Sequence, residues 1–315
     1  MHVTARAAPP VGQLVGPFGA LLLLAGCTVS GSTTGTRTES VIVTTAPAEV
    51  TTPAPGPTAT STVELVDPVV DTCRSKLDTE YPMTAQSTIG CDQPHLFETA
   101  YVGRFGPDAT GPDRIEKALY DESLPVCIDR MGSYLGSADW RASSFWPYVY
   151  LPAISEWTAG ARWFRCEVGR YTGEDSATYV ISVTGSVRNV LADGGLGRYR
   201  RCLEQIGEDL RVVECAEPHH REVMDPIVDL GGVVPEHIGD DGFHALAGDI
   251  CSVVLFEYLG TSRDDVSWWG NWPSEEEWDE HGDRTMRCSA VTAEAVTGSV
   301  KGIGDGPLAI AGATE

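Results

Sequence analysis

The chain has 315 residues, 45 Asp and Glu against 22 Lys and Arg, and a formal net charge of −23. A surface this acidic repels nucleic acid and anionic lipid head groups over about a Debye length, so neither is expected as a partner. Its 9 cysteines are the most informative part of the composition.

Residues 1–26 read as a bacterial lipoprotein signal peptide. Arg6 supplies the positive start, Leu21 to Leu24 the apolar stretch, and Leu24-Ala25-Gly26-Cys27 the small-residue site that precedes a lipidated cysteine. The apolar run is too short to stay in a bilayer as a spanning helix, and no later stretch approaches the roughly 20 apolar residues that spanning needs. Cleavage and diacylation at Cys27 are therefore expected. The mature protein is then held by its lipid at the extracytoplasmic face of the cell membrane.

The lipidated cysteine opens a Thr/Pro-rich tether over 27–64, with segments such as Thr44-Thr45-Ala46-Pro47 and Pro53-Ala54-Pro55-Gly56-Pro57. This composition cannot bury enough apolar surface to offset its ordering entropy, and its prolines favour extended polyproline conformations. At about 3.1 Å per residue the extended tether reaches roughly 110 Å. It is either a device for reaching into a thick wall or an inert stalk.

Beyond the tether the chain repeats itself. Cys91-Asp92-Gln93-Pro94-His95-Leu96-Phe97-Glu98 is answered 124 positions later by Cys215-Ala216-Glu217-Pro218-His219-His220-Arg221-Glu222. Tyr134-Leu135-Gly136 recurs as Tyr258-Leu259-Gly260, Trp146-Pro147 as Trp272-Pro273, Glu156-Trp157 as Glu277-Trp278, and Arg165-Cys166 as Arg287-Cys288. Val183-Thr184-Gly185-Ser186-Val187 recurs as Val296-Thr297-Gly298-Ser299-Val300. A tandem duplication is expected, with one copy over 65–192, a second over 193–306 and a tail over 307–315.

Within each copy the spacing predicts an α+β unit with an antiparallel sheet and one main helix. Leu96 to Phe105 and Val223 to Leu230 are rich in β-branched and aromatic residues and read as strands. Pro112 to Leu135 carries a helical apolar face interrupted near Pro125, and Phe243 to Tyr258 carries one without proline. Gly136 and Gly260 stop these helices. Arg162 to Val168 and Arg284 to Val291 read as further strands.

In an exported chain an even set of cysteines argues for disulfides. The eight beyond Cys27 allow 105 pairings, and sequence alone does not choose. If both copies close by equivalent bonds the choice narrows, and the favoured set is Cys73–Cys91, Cys127–Cys166, Cys202–Cys215 and Cys251–Cys288.

Several groups invite a functional reading. His95 and Glu98, with His219, His220 and Glu222, are zinc-type ligands, but residues i and i+3 on a strand face opposite sides and the nearby cysteines are expected to be oxidised. A structural role is favoured for them, and neither a metal nor a cofactor is expected. All 8 tryptophans fall between the third and fourth cysteine of a copy. Packing is favoured for most, with Trp268, Trp269 and Trp272 the candidates for an exposed ligand-stacking patch. The acidic run Glu275 to Asp283 lacks a calcium-loop pattern, and Gly302-Ile303-Gly304-Asp305-Gly306 lacks the helix of a dinucleotide loop. No Gly-x-Ser-x-Gly or His-Glu-x-x-His occurs.

A lipobox, a Thr/Pro tether and two copies carrying Cys-x-x-Pro-His-x-x-Glu, a helical Cys before Tyr-Leu-Gly, Trp-Pro, Arg-Cys and Val-Thr-Gly-Ser-Val together resemble the septum-formation-related domain family of actinobacterial envelope proteins. The resemblance covers about 65–306 and implies a link to division-septum formation, with no reaction or catalytic residue attached to it. The expectation is a non-enzymatic interaction or scaffolding protein whose partners are cell-wall or division proteins. The alternatives are a module binding peptidoglycan or another envelope glycan and, third, a cell-wall hydrolase.

Overall fold

The protein is described from a computed structural model, which covers residues 65–75, 88–109, 115–172, 180–207 and 209–313. The signal peptide 1–26, Cys27 and the tether to residue 64 lie outside the described residues.

The first half opens with β1 (Cys73–Arg74) and β2 (Phe97–Arg104), followed by α1 (Ile115–Leu135) and a 3-10 turn over Trp140–Ala142. Then come β3 (Phe145–Tyr150), α2 (Ile154–Thr158), β4 (Trp163–Tyr171) and the short β5 (Val180–Ile181). These strands form one antiparallel sheet in the order β1-β2-β4-β3, with β5 on the end of β4. β4 is buried along nearly its whole length. Its Phe164, Cys166 and Val168 belong to the core shared with α1, while Phe97, Tyr148 and Tyr150 form a second apolar cluster.

After α3 (Gly195–Arg198), the second half begins with a hairpin of β6 (Cys202–Ile206) and β7 (Asp209–Val213). It continues through β8 (His219–Val223), β9 (Val228–Asp229), α4 (Gly239–Leu259), β10 (Val266–Asn271), α5 (Glu275–Asp279) and β11 (Thr285–Val296). Its sheet is again antiparallel, ordered β10-β11-β8-β6-β7. Helix α4 sets Phe243, Ala247, Cys251, Tyr258 and Leu259 into a core with Cys288 and Ala290 of β11. The expectation that no later stretch approaches a spanning length is corrected: among the described residues α4 is long and apolar enough to cross a membrane, and here it serves as this core helix.

The α+β class with antiparallel sheets is as the sequence predicts, and Gly136 and Gly260 end their helices at positive φ. Two local expectations are corrected. Pro125 lies inside an unbroken α1. Only one i to i−4 hydrogen bond is forfeited there, and Ser123, whose Oγ donates to Leu119 O at 2.6 Å, is one of the polar groups buried in the same turns. The strand placed at Val223 to Leu230 is split, β8 ending at Val223 and only the two-residue β9 following at Val228–Asp229, because Pro226 has no amide hydrogen to continue the ladder.

The halves are not separate beads. Leu203, Val212 and Val223 of the second half complete the core of the first. Backbone bonds also cross the seam, from Arg201 N to Ala142 O and from Val212 N to Thr172 O, both at 2.8 Å. On one side Lys117 Nζ lies 2.9 Å from Asp121 and 3.0 Å from Glu280, and on another Arg141 meets Asp283 at 3.3 Å.

Candidate functional site

The Cys-x-x-Pro-His-x-x-Glu segment and the Val-Thr-Gly-Ser-Val segment, 88 residues apart in the first half, meet in space around one carboxylate. Glu98 is fully buried on β2. Its Oε1 accepts from Tyr134 Oη and from Ser186 Oγ, each at 2.6 Å, and its Oε2 accepts from Val187 N at 2.7 Å. Gly185 N donates to Cys91 O at 2.8 Å, which docks the loop on the disulfide-bonded turn.

The second half repeats the arrangement. Glu222 Oε1 accepts from Tyr258 Oη at 2.5 Å and from Ser299 Oγ, and Oε2 accepts from Val300 N at 2.8 Å. Gly185 and Gly298 have φ of +88° and +81°, a backbone conformation that glycine enters without the steric cost a Cβ brings, and it aims the following serine and amide at the glutamate. Burial first, then the neighbouring carboxylate, pushes the phenols of Tyr134 and Tyr258 far above the usual tyrosine value. Both tyrosines therefore remain neutral hydrogen-bond donors.

The surrounding charges follow the same plan. Arg188 lies over the Tyr134 ring at 4.5 Å and pairs with Asp71; Lys301 lies over Tyr258 at 5.6 Å and pairs with Asp225 at 2.6 Å. Glu222 has an additional neighbour, Arg200, whose Nε lies 3.3 Å away.

The expectation that His95 and Glu98 face opposite sides is corrected. His95 Nε2 lies 4.0 Å from Glu98 Oε2, because β2 begins only at Phe97 and strict alternation does not yet apply at residue 95. In both halves the ring folds back on its own turn: His95 Nδ1 lies 2.9 Å from Gln93 O and His219 Nδ1 2.8 Å from Glu217 O. His220 instead lies 2.7 Å from Glu204. Cys73, His95 and Glu98 cluster closely, yet Cys73 is spent in a disulfide and offers no thiolate. Asp121, Glu280 and His281 also cluster, but the Lys117 ammonium already lies between two of these carboxylates.

The four disulfides are Cys73–Cys91, Cys127–Cys166, Cys202–Cys215 and Cys251–Cys288, the set favoured from the repeat. Two pin the turn before Pro-His to the incoming strand, and two pin the main helix to the sheet.

The three tryptophans of interest do not form one patch. Trp268 and Trp272 are half-buried against the second core, and Trp272 Nε1 donates to Asp240 at 3.2 Å. Trp269 points the other way, 53% exposed, with Arg221 over its ring at 5.1 Å.

One cleft, of about 410 Å³, was not foreseen. Residues 182–187 form one wall, and Arg170, Arg198, Tyr199 and Glu214 the other. Arg170 holds Glu214 in an ion pair and donates to Ser144 Oγ at 2.8 Å. The doublet Arg200-Arg201, in a chain this acidic, is the signal that could have drawn attention to the seam.

A family model for septum formation matches residues 71–268 as a single stretch, from Asp71 beside Tyr134 to Trp268 on β10. The chain belongs to the septum formation family. Membership in this family links the protein to septum formation and to the cell envelope, where the septum is built. The match runs across both halves of the fold and covers all of the first glutamate arrangement and, of the second, Glu222 and Tyr258 but not Ser299 and Val300. Comparison with curated proteins and with solved structures finds no match.

Proposed function

We propose that this septum formation protein is a non-catalytic interaction or scaffolding component, anchored by a lipid on Cys27 to the extracytoplasmic face of the membrane and built by tandem duplication of one unit. One observation carries the non-catalytic part. The carboxylates of the repeated motif, Glu98 and Glu222, are buried with both oxygens taken by Tyr, Ser and backbone donors. A carboxylate so buried and already accepting three hydrogen bonds is not open to a substrate, and its duplication suits a structural element needed once per unit.

The open cleft supports the same reading. Its one lining carboxylate is Glu214, already paired with Arg170, whereas glycoside hydrolysis calls for two acidic groups across the scissile bond. Four disulfides support an oxidising compartment.

The test is localisation. A fluorescent fusion is expected to concentrate at the division site, and the Cys27→Ser variant to leave the membrane fraction. Uniform peripheral fluorescence through division would sink the septal role, and membrane retention of C27S the anchor. Lytic activity of the purified protein on cell wall would sink the non-catalytic reading.

A further inference from the structure

Arg201 sits at the seam, buried, and its Nε has no hydrogen-bond partner among the described residues. The residue is 4% exposed, and its backbone is fixed on both sides, N to Ala142 O at 2.8 Å and O from Val223 N at 2.9 Å. Its side chain lies over the Tyr171 ring at 4.7 Å. Among the described residues no carboxylate pairs with its guanidinium. Other buried arginines differ: Arg74 and Arg165 share Glu167, and Arg200 reaches Asp225 at 2.8 Å.

The neighbours of Arg201 deepen the anomaly. Burial, then the charges of Arg287 and Arg141, push its guanidinium well below the usual arginine value, and no acid offsets them. Arg141 is itself buried, 5.0 Å over Trp140 and 5.9 Å from the Trp146 ring centre, and it pairs with Asp283 at 3.3 Å, with Glu277 a second acid acting on it. Trp146 in turn lies 6.3 Å from Tyr171. Arg201 and Arg141 thus lie against an aromatic wall of Tyr171, Trp140 and Trp146, with the Arg287 charge near enough to act on both. Arg287 is part-exposed and bonded to the exposed Asn271, which brings the outer edge of the cluster to the surface.

Aromatic faces offset part of the cost of burying a cation, but an unpaired one remains unfavourable until something negative completes it. Elsewhere the protein is strongly acidic, so its general field repels anions and a site that keeps one has to be built for it. We propose that Arg201, with Arg141 and Arg287, forms an oxyanion site at the seam between the halves, receiving a carboxylate or phosphate group in the planar fork of the Arg201 guanidinium. The site stands independently of the scaffolding role and of the lipid anchor.

The test titrates the purified full-length protein with inorganic phosphate and, separately, with acetate, at constant ionic strength with chloride as the control. Binding is followed by tryptophan fluorescence, since Trp140 and Trp146 line the site, and by Tm. Wild type is expected to show a saturable change and a raised Tm with one of the two oxyanions; which one tells phosphate from carboxylate. Arg201→Met is expected to abolish the response while keeping an anion-free Tm at or above wild type. Arg287→Gln, at the exposed edge, is expected to fold and to weaken binding roughly tenfold, as losing a charge-assisted hydrogen bond does. The proposal is overturned if wild type responds to neither oxyanion beyond chloride, if R201M responds like wild type, or if R201M folds with a lowered anion-free Tm. Should R201M fail to fold, undiminished binding by R287Q overturns it.

Discussion

The hydroxyl of Tyr258 donates to Oε1 of Glu222 at 2.5 Å, with both side chains buried. The same bond joins Tyr134 to Glu98, and each glutamate gathers a helix, a strand and the Thr-Gly-Ser loop into one knot. Glu98→Gln and Glu222→Gln keep the shape but turn one acceptor into a donor that faces the amide of Val187 or Val300. Each is expected to cost about 3 kcal/mol, read as a lowered midpoint of guanidinium unfolding. A change under about 0.5 kcal/mol, the level of an ordinary surface substitution, would show that the knot is not a stabilising element.

The disulfides close loops of different length, 13 residues for Cys202–Cys215 and 37 for Cys251–Cys288. Chain-entropy arguments then give roughly 3 kcal/mol for the shorter and roughly 4 kcal/mol for the longer. The double variant Cys251→Ala/Cys288→Ala should therefore unfold at lower denaturant than Cys202→Ala/Cys215→Ala. The reverse order would mean that native packing around the bonds, not loop closure, dominates.

Asp225 gives a pH dependence with a definite sign. Burial alone would lift its pKa, but Lys301 and Arg200 outweigh burial and hold the carboxyl below its ordinary value of 3.8. The folded state thus binds this proton less readily than the unfolded chain. Its contribution to stability is complete above that ordinary value and is lost as pH falls through the lower folded one. Asp225→Asn should lower stability at neutral pH and flatten the acid limb of a stability-versus-pH curve. An unchanged slope in that limb would assign the acid sensitivity to other carboxylates.

Trp278 and Trp269 lie a few residues apart in sequence, one almost completely buried and the other 53% exposed. Trp278→Ala should cost about 3–5 kcal/mol in core packing, and Trp269→Ala less than about 1 kcal/mol. Co-sedimentation with purified cell wall separates scaffolding from glycan binding. The scaffolding reading expects W269A and wild type to sediment alike, and a selective loss of sedimentation in W269A would favour stacking of a wall sugar on Trp269.

The features legible in the sequence were those that recur. Cys127 and Cys251 recur with the same downstream Tyr-Leu-Gly, so their helices and partners could be inferred, and His95 and His219 could be read as structural because both halves keep them. Contacts made once were not legible. Arg201 faces Tyr171 across the seam, and no periodicity connects the two positions. His95 and Glu98 were assigned opposite faces because alternation was applied two residues before the strand begins. Likewise, Pro125 looked like a break because a local rule took no account of the tertiary packing that holds the helix on both sides of it.

Leu196, Leu203, Val212 and Val223 lend their side chains to a core whose remaining buried members come from residues before position 192. Loans of this kind cannot be called in separately. A premature stop near residue 193 would leave an apolar hole open to water and yield a product for proteases rather than a working half-length protein. Selection on such a gene acts on both halves together.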